Sequence, residues 1–302
     1  MFLEKPDFTR IVTKHASELA SKDHRRRTGV NYLPLETRIQ LHRKVGELRG
    51  LGLSYAQILE LVFRRQHVRL SKSTVSVWTR GIHSPNGRLN SFLANPTPEL
   101  AYVIGVILSD GNLNIHGYSA ELILAVTDYE FAKEFSRCLG IVLQRKHPYT
   151  VRWHARKNRW VVQGSSVLLY NFLHRDWRNF RKWIEHCDKC TASFLKAFYD
   201  GEGCISGRHL MVFNTDMGLL LYAKHLLNSL GVGTLEPRLV SLAGTSLKDP
   251  RTGKLYKRRK DCYRIDVQGS YLARFKTQVG FTINRKKTRL EYYARNSRVP
   301  IC

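Results

Sequence analysis

Val103-Ile104-Gly105-Val106-Ile107-Leu108-Ser109-Asp110-Gly111 and Leu195-Lys196-Ala197-Phe198-Tyr199-Asp200-Gly201-Glu202-Gly203 are two apolar runs of one design, each closing on an acidic residue and a glycine. Each reads as a helix with small residues four apart on one face, Gly105 with Ser109 and Ala197 with Gly201. Helices with such faces can dock closely, because nothing beyond a methyl or hydroxymethyl group separates their backbones. Docked that way they bring Asp110 and Glu202 together at their tips. Two carboxylates at one place invite a divalent cation.

The pair of motifs resembles those of the LAGLIDADG homing endonucleases in their single-chain, two-repeat form. The resemblance implies an α+β fold of two pseudo-symmetric αββαββα repeats that together form a DNA-binding saddle, here over 98–186 and 187–302. It also implies that the acid at the eighth position of each motif, Asp110 and Glu202, binds metal at the cleavage centre. A basic or polar residue from each half near the scissile phosphate is implied as well. By position relative to the repeats, Lys189 and Lys286 are the candidates. The departures are Leu108, where the first motif often has an acid, and Ala197, where the second often has glycine. Neither touches the metal-binding position.

Bulk properties point to a polyanionic partner. The chain has 302 residues, with 50 Lys and Arg against 24 Asp and Glu, a formal charge of +26. Such an excess attracts nucleic acid at long range and speeds association. No apolar run approaches the ~20 residues of a membrane span, and the N-terminus has no signal-peptide core, so no membrane partner and a cytoplasmic location are expected. The six cysteines are scattered, which fits reduced thiols. Cys187 and Cys190 form one CxxC, with His186 before it and Cys204 beyond. The second spaced pair of a structural zinc site is missing, so no zinc is expected.

A longer internal repeat surrounds the motifs. Ala125-Val126-Thr127-Asp128 and Phe213-Asn214-Thr215-Asp216 each lead into an amphipathic helix, with Thr127 and Thr215 as expected N-caps and Gly140 and Gly231 at the C′ positions. Later, Ser165 and Ser270 are placed to cap helices over 167–173 and 271–279. Alternation predicts strands over 112–118, 121–127, 142–156 and 159–163, then 204–208, 210–214, 234–242 and 261–268. In Val151-Arg152-Trp153-His154-Ala155-Arg156 the basic residues fall on one face, and Arg152, His154, Arg156, Arg208, Arg258 and Arg264 are the expected DNA contacts. The basic stretch 244–260 is expected to be a long loop that orders on phosphates. A basic helix is expected over 284–293.

Before the first motif, 34–90 reads as a separate helical module behind a basic arm, 1–33. A helix over 35–50 is followed by one capped by Ser54, and then by a short serine-capped helix. In that last helix Lys72, Ser73, Thr74 and Ser76 are outward and Val75 and Trp78 inward, an outline that resembles the recognition helix of a helix-turn-helix. Lys72 and Ser73 are its candidate base or phosphate contacts. Residues 86–98, rich in proline, mark the passage to the core.

Phosphodiester hydrolysis needs an acidified water and a stabilised leaving oxygen, which oxygen-bound Mg²⁺ supplies. Asp110 and Glu202, with the Ser109 and Gly201 carbonyls, are the candidate ligands. Acids at a helix C-terminus face the negative end of the macrodipole, so a cation is expected beside them. The expected function is therefore a monomeric, metal-dependent endonuclease acting at a long, asymmetric double-stranded DNA target. A DNA-binding regulator on the same fold, or a maturase that holds intron RNA on the basic saddle, are the competing classes.

Overall fold

The computed structural model describes residues 33–82, 85, 92–116, 119–249 and 253–295. Residues 1–32 of the expected arm, residues 86–91 of the linking passage, the end of the first expected strand at 117–118, Arg251 and Cys302 lie outside them. The chain divides into two compact units, the first made of the segment before residue 90 with His116–Tyr118 and the second of the remainder.

The first unit is built from α1 (Leu35–Gly50), α2 (Tyr55–Gln66) and α3 (Lys72–Thr79). Ser54 starts α2 with a capping box: its hydroxyl accepts from the Gln57 N–H, while the Gln57 side chain accepts from the Ser54 N–H. His67 ends α2 in the left-handed region, φ 54°. Ser71 starts α3 by accepting from the Thr74 N–H at 3.0 Å. Leu41, Val45, Leu48, Ile58, Val62, Val68, Val75 and Trp78 close a core of their own. As expected, Val75 and Trp78 face it and Lys72 and Ser73 are exposed, whereas Thr74 and Ser76 are half-buried.

The second unit is α+β and holds the repeat. Its first half runs α4 (Pro98–Ile107), β1 (Gly111–His116), β2 (Ser119–Val126), α5 (Tyr129–Val142), β3 (Arg152–His154), β4 (Arg159–Ser165), α6 (Val167–Leu173) and the short α7 (Arg181–Ile184). The second runs α8 (Asp188–Glu202), β5 (Gly203–Ser206), β6 (His209–Asn214), α9 (Met217–Ser229), β7 (Arg238–Ser241), β8 (Ser246–Lys248), β9 (Leu255–Lys257), β10 (Cys262–Val267), α10 (Leu272–Gln278) and α11 (Asn284–Arg295). The sheets have the orders β1-β2-β4-β3 and β5-β6-β10-β7, which are the same order once the β8–β9 hairpin is set aside as an insertion. Each half is thus αββαββα, and one hydrophobic core runs through both.

Local chemistry explains where the elements depart from expectation. Thr127 and Thr215 do not cap. The N-cap residues are Asp128 and Asp216, and Asp216 accepts from the Leu219 N–H at 3.1 Å. Ser166, not Ser165, caps α6, because Ser165 is still paired in β4. Ser270 lies inside a 3₁₀ turn and caps nothing. Gly231 is the C′ residue expected, with φ 70°, but Gly140 is inside α5, where a Cβ would come within 3.1 Å of the Pro148 Cα. The expected strand over 142–156 shrinks to the three residues of β3, since 142 still belongs to α5. The 234–242 strand shrinks to β7 plus a single bridge from Thr234 to Val267. The 244–260 stretch is no structureless loop: Ser246 pairs with Lys257 and Lys248 with Leu255 in the β8–β9 hairpin.

Candidate metal centre and nucleic-acid interface

Helices α4 and α8 cross through the small residues singled out in the sequence. A Cβ built on Gly105 would lie 2.6 Å from the Phe194 carbonyl oxygen and 2.8 Å from the Ala197 Cβ. One turn further on, a Cβ on Gly201 would lie 2.5 Å from the Ser109 Oγ and 3.2 Å from an Asp110 carboxylate oxygen. Ser109 folds its hydroxyl back onto the Gly105 carbonyl at 3.0 Å, which keeps this face of α4 flat. Asp110 follows the end of α4, and Glu202 is the last residue of α8. The crossing therefore sets the two acids at neighbouring helix ends.

Their electrostatics fit that placement. Burial raises the Asp110 carboxyl above its ordinary value, opposed by the positive charges of Lys286 and Arg159. The Glu202 carboxyl is pushed up to about 7, first by burial and then by the negative charge of Asp110, with the positive charge of Lys286 opposing. Asn214 donates a long hydrogen bond, 3.4 Å, to the Glu202 Oε1. Two partly desolvated carboxylates that repel each other form an oxygen-only donor set suited to a hard divalent cation.

A cavity of about 320 Å³ opens beside Asp110, lined also by Asp128, Arg159, Asp200, Arg285 and Lys286 among others. Asp128 accepts from the Arg285 guanidinium at 2.7 and 2.9 Å, and that hydrogen bond holds its carboxyl below the ordinary value. Asp200, at the sixth position of the second motif, is buried and accepts from the Thr282 and Ile283 N–H groups at 3.0 and 3.2 Å. Burial drives its carboxyl up to about 6 against those hydrogen bonds. Lys286 is 5% exposed, and its ammonium donates to the Tyr199 carbonyl at 3.1 Å and to the Asp200 carbonyl. The end of α8 and the start of α11 thereby clamp each other. The cation expected at the α8 C-terminus is, for the backbone carbonyls, a lysine of the chain itself.

The remaining expected site residues are scattered. Lys189 sits exposed in the first turn of α8, about 20 Å from Glu202 at a rise of about 1.5 Å per residue, so the helix that carries both keeps them apart. Arg152 and His154 are exposed on β3, opposite Val161 and Arg159 of β4, on one face as expected. That face also carries Glu121, Ile123, Ala125 and Gln163, so its basic residues gather at the β3 edge instead of covering the sheet. Trp153, on the other face, is 46% exposed and packs on Trp160 at 5.0 Å. Arg156 belongs to a 3₁₀ turn after the strand, and Arg208 is exposed in the β5–β6 turn. Arg258 is half-buried next to the hairpin. Arg264 is engaged by the buried Asp266 at 3.0 Å, a carboxylate it shares with Arg238, so it is not a free cation. Asp128, Arg159, Asp200 and Arg285 were missed as site residues. The repeated Thr-Asp pairs and the lone acid inside an apolar motif were the signals available for Asp128 and Asp200.

No family model matches the chain. It is similar to two uncharacterized proteins of Methanocaldococcus jannaschii. One is 28% identical over 256 residues, covering 84% of this chain and 92% of the relative, and the other 27% identical over 183 residues, covering 57% and 66%. Among solved structures it is similar to mesophilic variants of the homing endonuclease I-DmoI (TM-score 0.45, 21% identity, 61% of this chain and 95% of that one). It is also similar to I-DmoI in complex with DNA and Mn (TM-score 0.43, 18% identity, 62% and 98%). A third likeness is to full-length DUF199/WhiA from Thermatoga maritima (TM-score 0.43, 10% identity, 70% and 65%).

Proposed function

We propose that this protein is a site-specific DNA endonuclease that makes a divalent-metal-dependent double-strand break in a long, asymmetric duplex. One observation carries the reading: Asp110 and Glu202 stand at adjacent ends of two helices that cross through Gly105, Ala197, Ser109 and Gly201. Asp110 and Glu202 would hold Mg²⁺ or a similar cation, with the Ser109 and Gly201 carbonyls as further oxygen donors. When bound, such a cation acidifies a water and neutralises charge on the leaving oxygen. Lys286 favours the ionised form of Asp110 through space and holds the end of α8 in place, a positioning role in view of its carbonyl partners. Arg152, His154, Arg156 and Arg208 are the proposed backbone contacts, and their differing surroundings in the two halves suit a target without two-fold symmetry. The first unit, 34–90, is proposed as a helix-turn-helix that adds a second contact through Lys72 and Ser73 on α3.

The test is selection of bound duplexes from a randomised pool, followed by incubation of the selected DNA with Mg²⁺ or with chelator. Cutting of both strands only with Mg²⁺ is the expected result. Selective binding with no cutting in any divalent metal would leave a DNA-binding regulator, and preference for structured RNA would leave a maturase.

A further inference from the structure

At the other end of α8 from Glu202 lies a cluster that the proposed nuclease chemistry does not use. His186, Cys187 and Cys190 place one ligand atom each within 4.8 Å of one another. The two sulfurs are 3.5 Å apart. Zinc–sulfur bonds are about 2.3 Å, so two sulfurs on one tetrahedral ion stand about 3.8 Å apart, close to the spacing found. We propose that His186, Cys187 and Cys190 form a binding site for Zn²⁺ or a similar thiolate-seeking cation, with three protein ligands and an open fourth position.

The local backbone explains the convergence. Cys187 is the extended residue before α8, with φ −161° and ψ 164°, and Cys190 is in the first helical turn, so the chain reverses between them and turns both side chains to one point. Cys187 and His186 are exposed while Cys190 is buried, which gives the site one anchored ligand and two that an ion can reach. Glu185, the nearest acid before the cluster, is already engaged by Arg181 at 2.7 Å. A disulfide would need only the two sulfurs. The imidazole brought to the same point is what distinguishes a metal site, and it compensates for the absent second CxxC pair. Bound there, the ion would tie the entry of α8 to the segment before it.

The experiment uses the full-length reduced protein and Co²⁺ as the probe. One equivalent should bind with thiolate-to-cobalt charge-transfer absorption, be displaced by one equivalent of Zn²⁺, and resist a large excess of Mg²⁺. Cys187→Ser and His186→Ala, both at exposed positions, should each weaken binding by tenfold or more. The Asp110→Asn, Glu202→Gln double variant should retain it, which separates this site from the proposed catalytic centre. Failure of the reduced protein to bind Co²⁺, or equal affinity in Cys187→Ser, overturns the proposal. Cysteines that close to a disulfide in air and take no Co²⁺ after reduction would also overturn it, making the pair a redox couple instead.

Discussion

Asp110 and Glu202 are not interchangeable, although the repeat places them alike. The positive charge of Lys286 acts on both, but Arg159 acts on Asp110, whereas the negative charge of Asp110 adds to burial in raising the Glu202 carboxyl. Asp110→Asn or Glu202→Gln should abolish Mg²⁺-dependent cutting and leave DNA affinity within a few-fold, because the acids organise metal and not groove contacts. Parallel cleavage and gel-shift assays check this, and wild-type cutting by both variants would refute the assignment. A pH dependence follows too. The folded chain keeps the Glu202 proton up to about pH 7, whereas the unfolded chain releases it near 4.5. In between, the folded state binds more protons, so this group's contribution makes metal-free stability fall as pH rises across that window. Mg²⁺, which favours the ionised carboxylates, should flatten the fall. Denaturation midpoints measured from pH 4.5 to 8, with and without Mg²⁺, decide it, and the Glu202→Gln protein should lack this component.

Helix pairs carry the next level of organisation. A glycine-to-alanine change inside a helix normally stabilises by up to about 1 kcal/mol through propensity. At Gly46 of α1, where an added Cβ meets nothing within 4 Å, that gain should appear. At Gly105 the same methyl would meet a backbone oxygen at 2.6 Å, and backbone cannot swing aside like a flexible side chain. Gly105→Ala should therefore destabilise, by about 1–3 kcal/mol net, and Gly105→Leu by more. Chemical denaturation of the two alanine variants tests the sign at each site. The α8–α11 clamp makes a second demand. Lys286→Met leaves the Tyr199 and Asp200 carbonyls without their ammonium donor and Asp200 without its countercharge, at a cost of about 3 kcal/mol. An unchanged denaturation midpoint would mean that the clamp contributes nothing.

Across the whole molecule, charge and modularity combine. Because the first unit closes a core separate from that of the second, removing residues 1–90 should leave the α+β unit folded. The truncated protein should bind more weakly and protect a shorter stretch on one side of the target, yet still cut at high enzyme concentration, since a tethered second contact raises effective concentration without altering the chemistry. Lys72→Ala with Ser73→Ala should reproduce part of the loss. Footprints of equal length for intact and truncated protein would assign the first unit some role other than reading DNA.

The two halves, the succession of helices and strands in each and the helix crossing were legible in the amino-acid order because periodicity and small-residue spacing are properties of neighbours along the chain. Gly105, Ala197, Asp110 and Glu202 announce a close helix pair with acids at its tips before any coordinate is known. Helix caps were misplaced by one residue where two candidates stood side by side, as with Ser165 and Ser166, since the choice depends on which residue the strand before it still holds. The fates of individual charges were not legible. Lys286 reads in sequence as a basic residue near the scissile phosphate, and Arg264 as a free DNA contact. A neighbour 86 positions away in one case and a buried carboxylate two residues on in the other took up those charges. Lys189 looked close to the acids until the full length of α8 separated them. Which charge meets which partner depends on distances across the folded molecule, and electrostatic energy is a function of those distances and of burial, neither of which is written in sequence order.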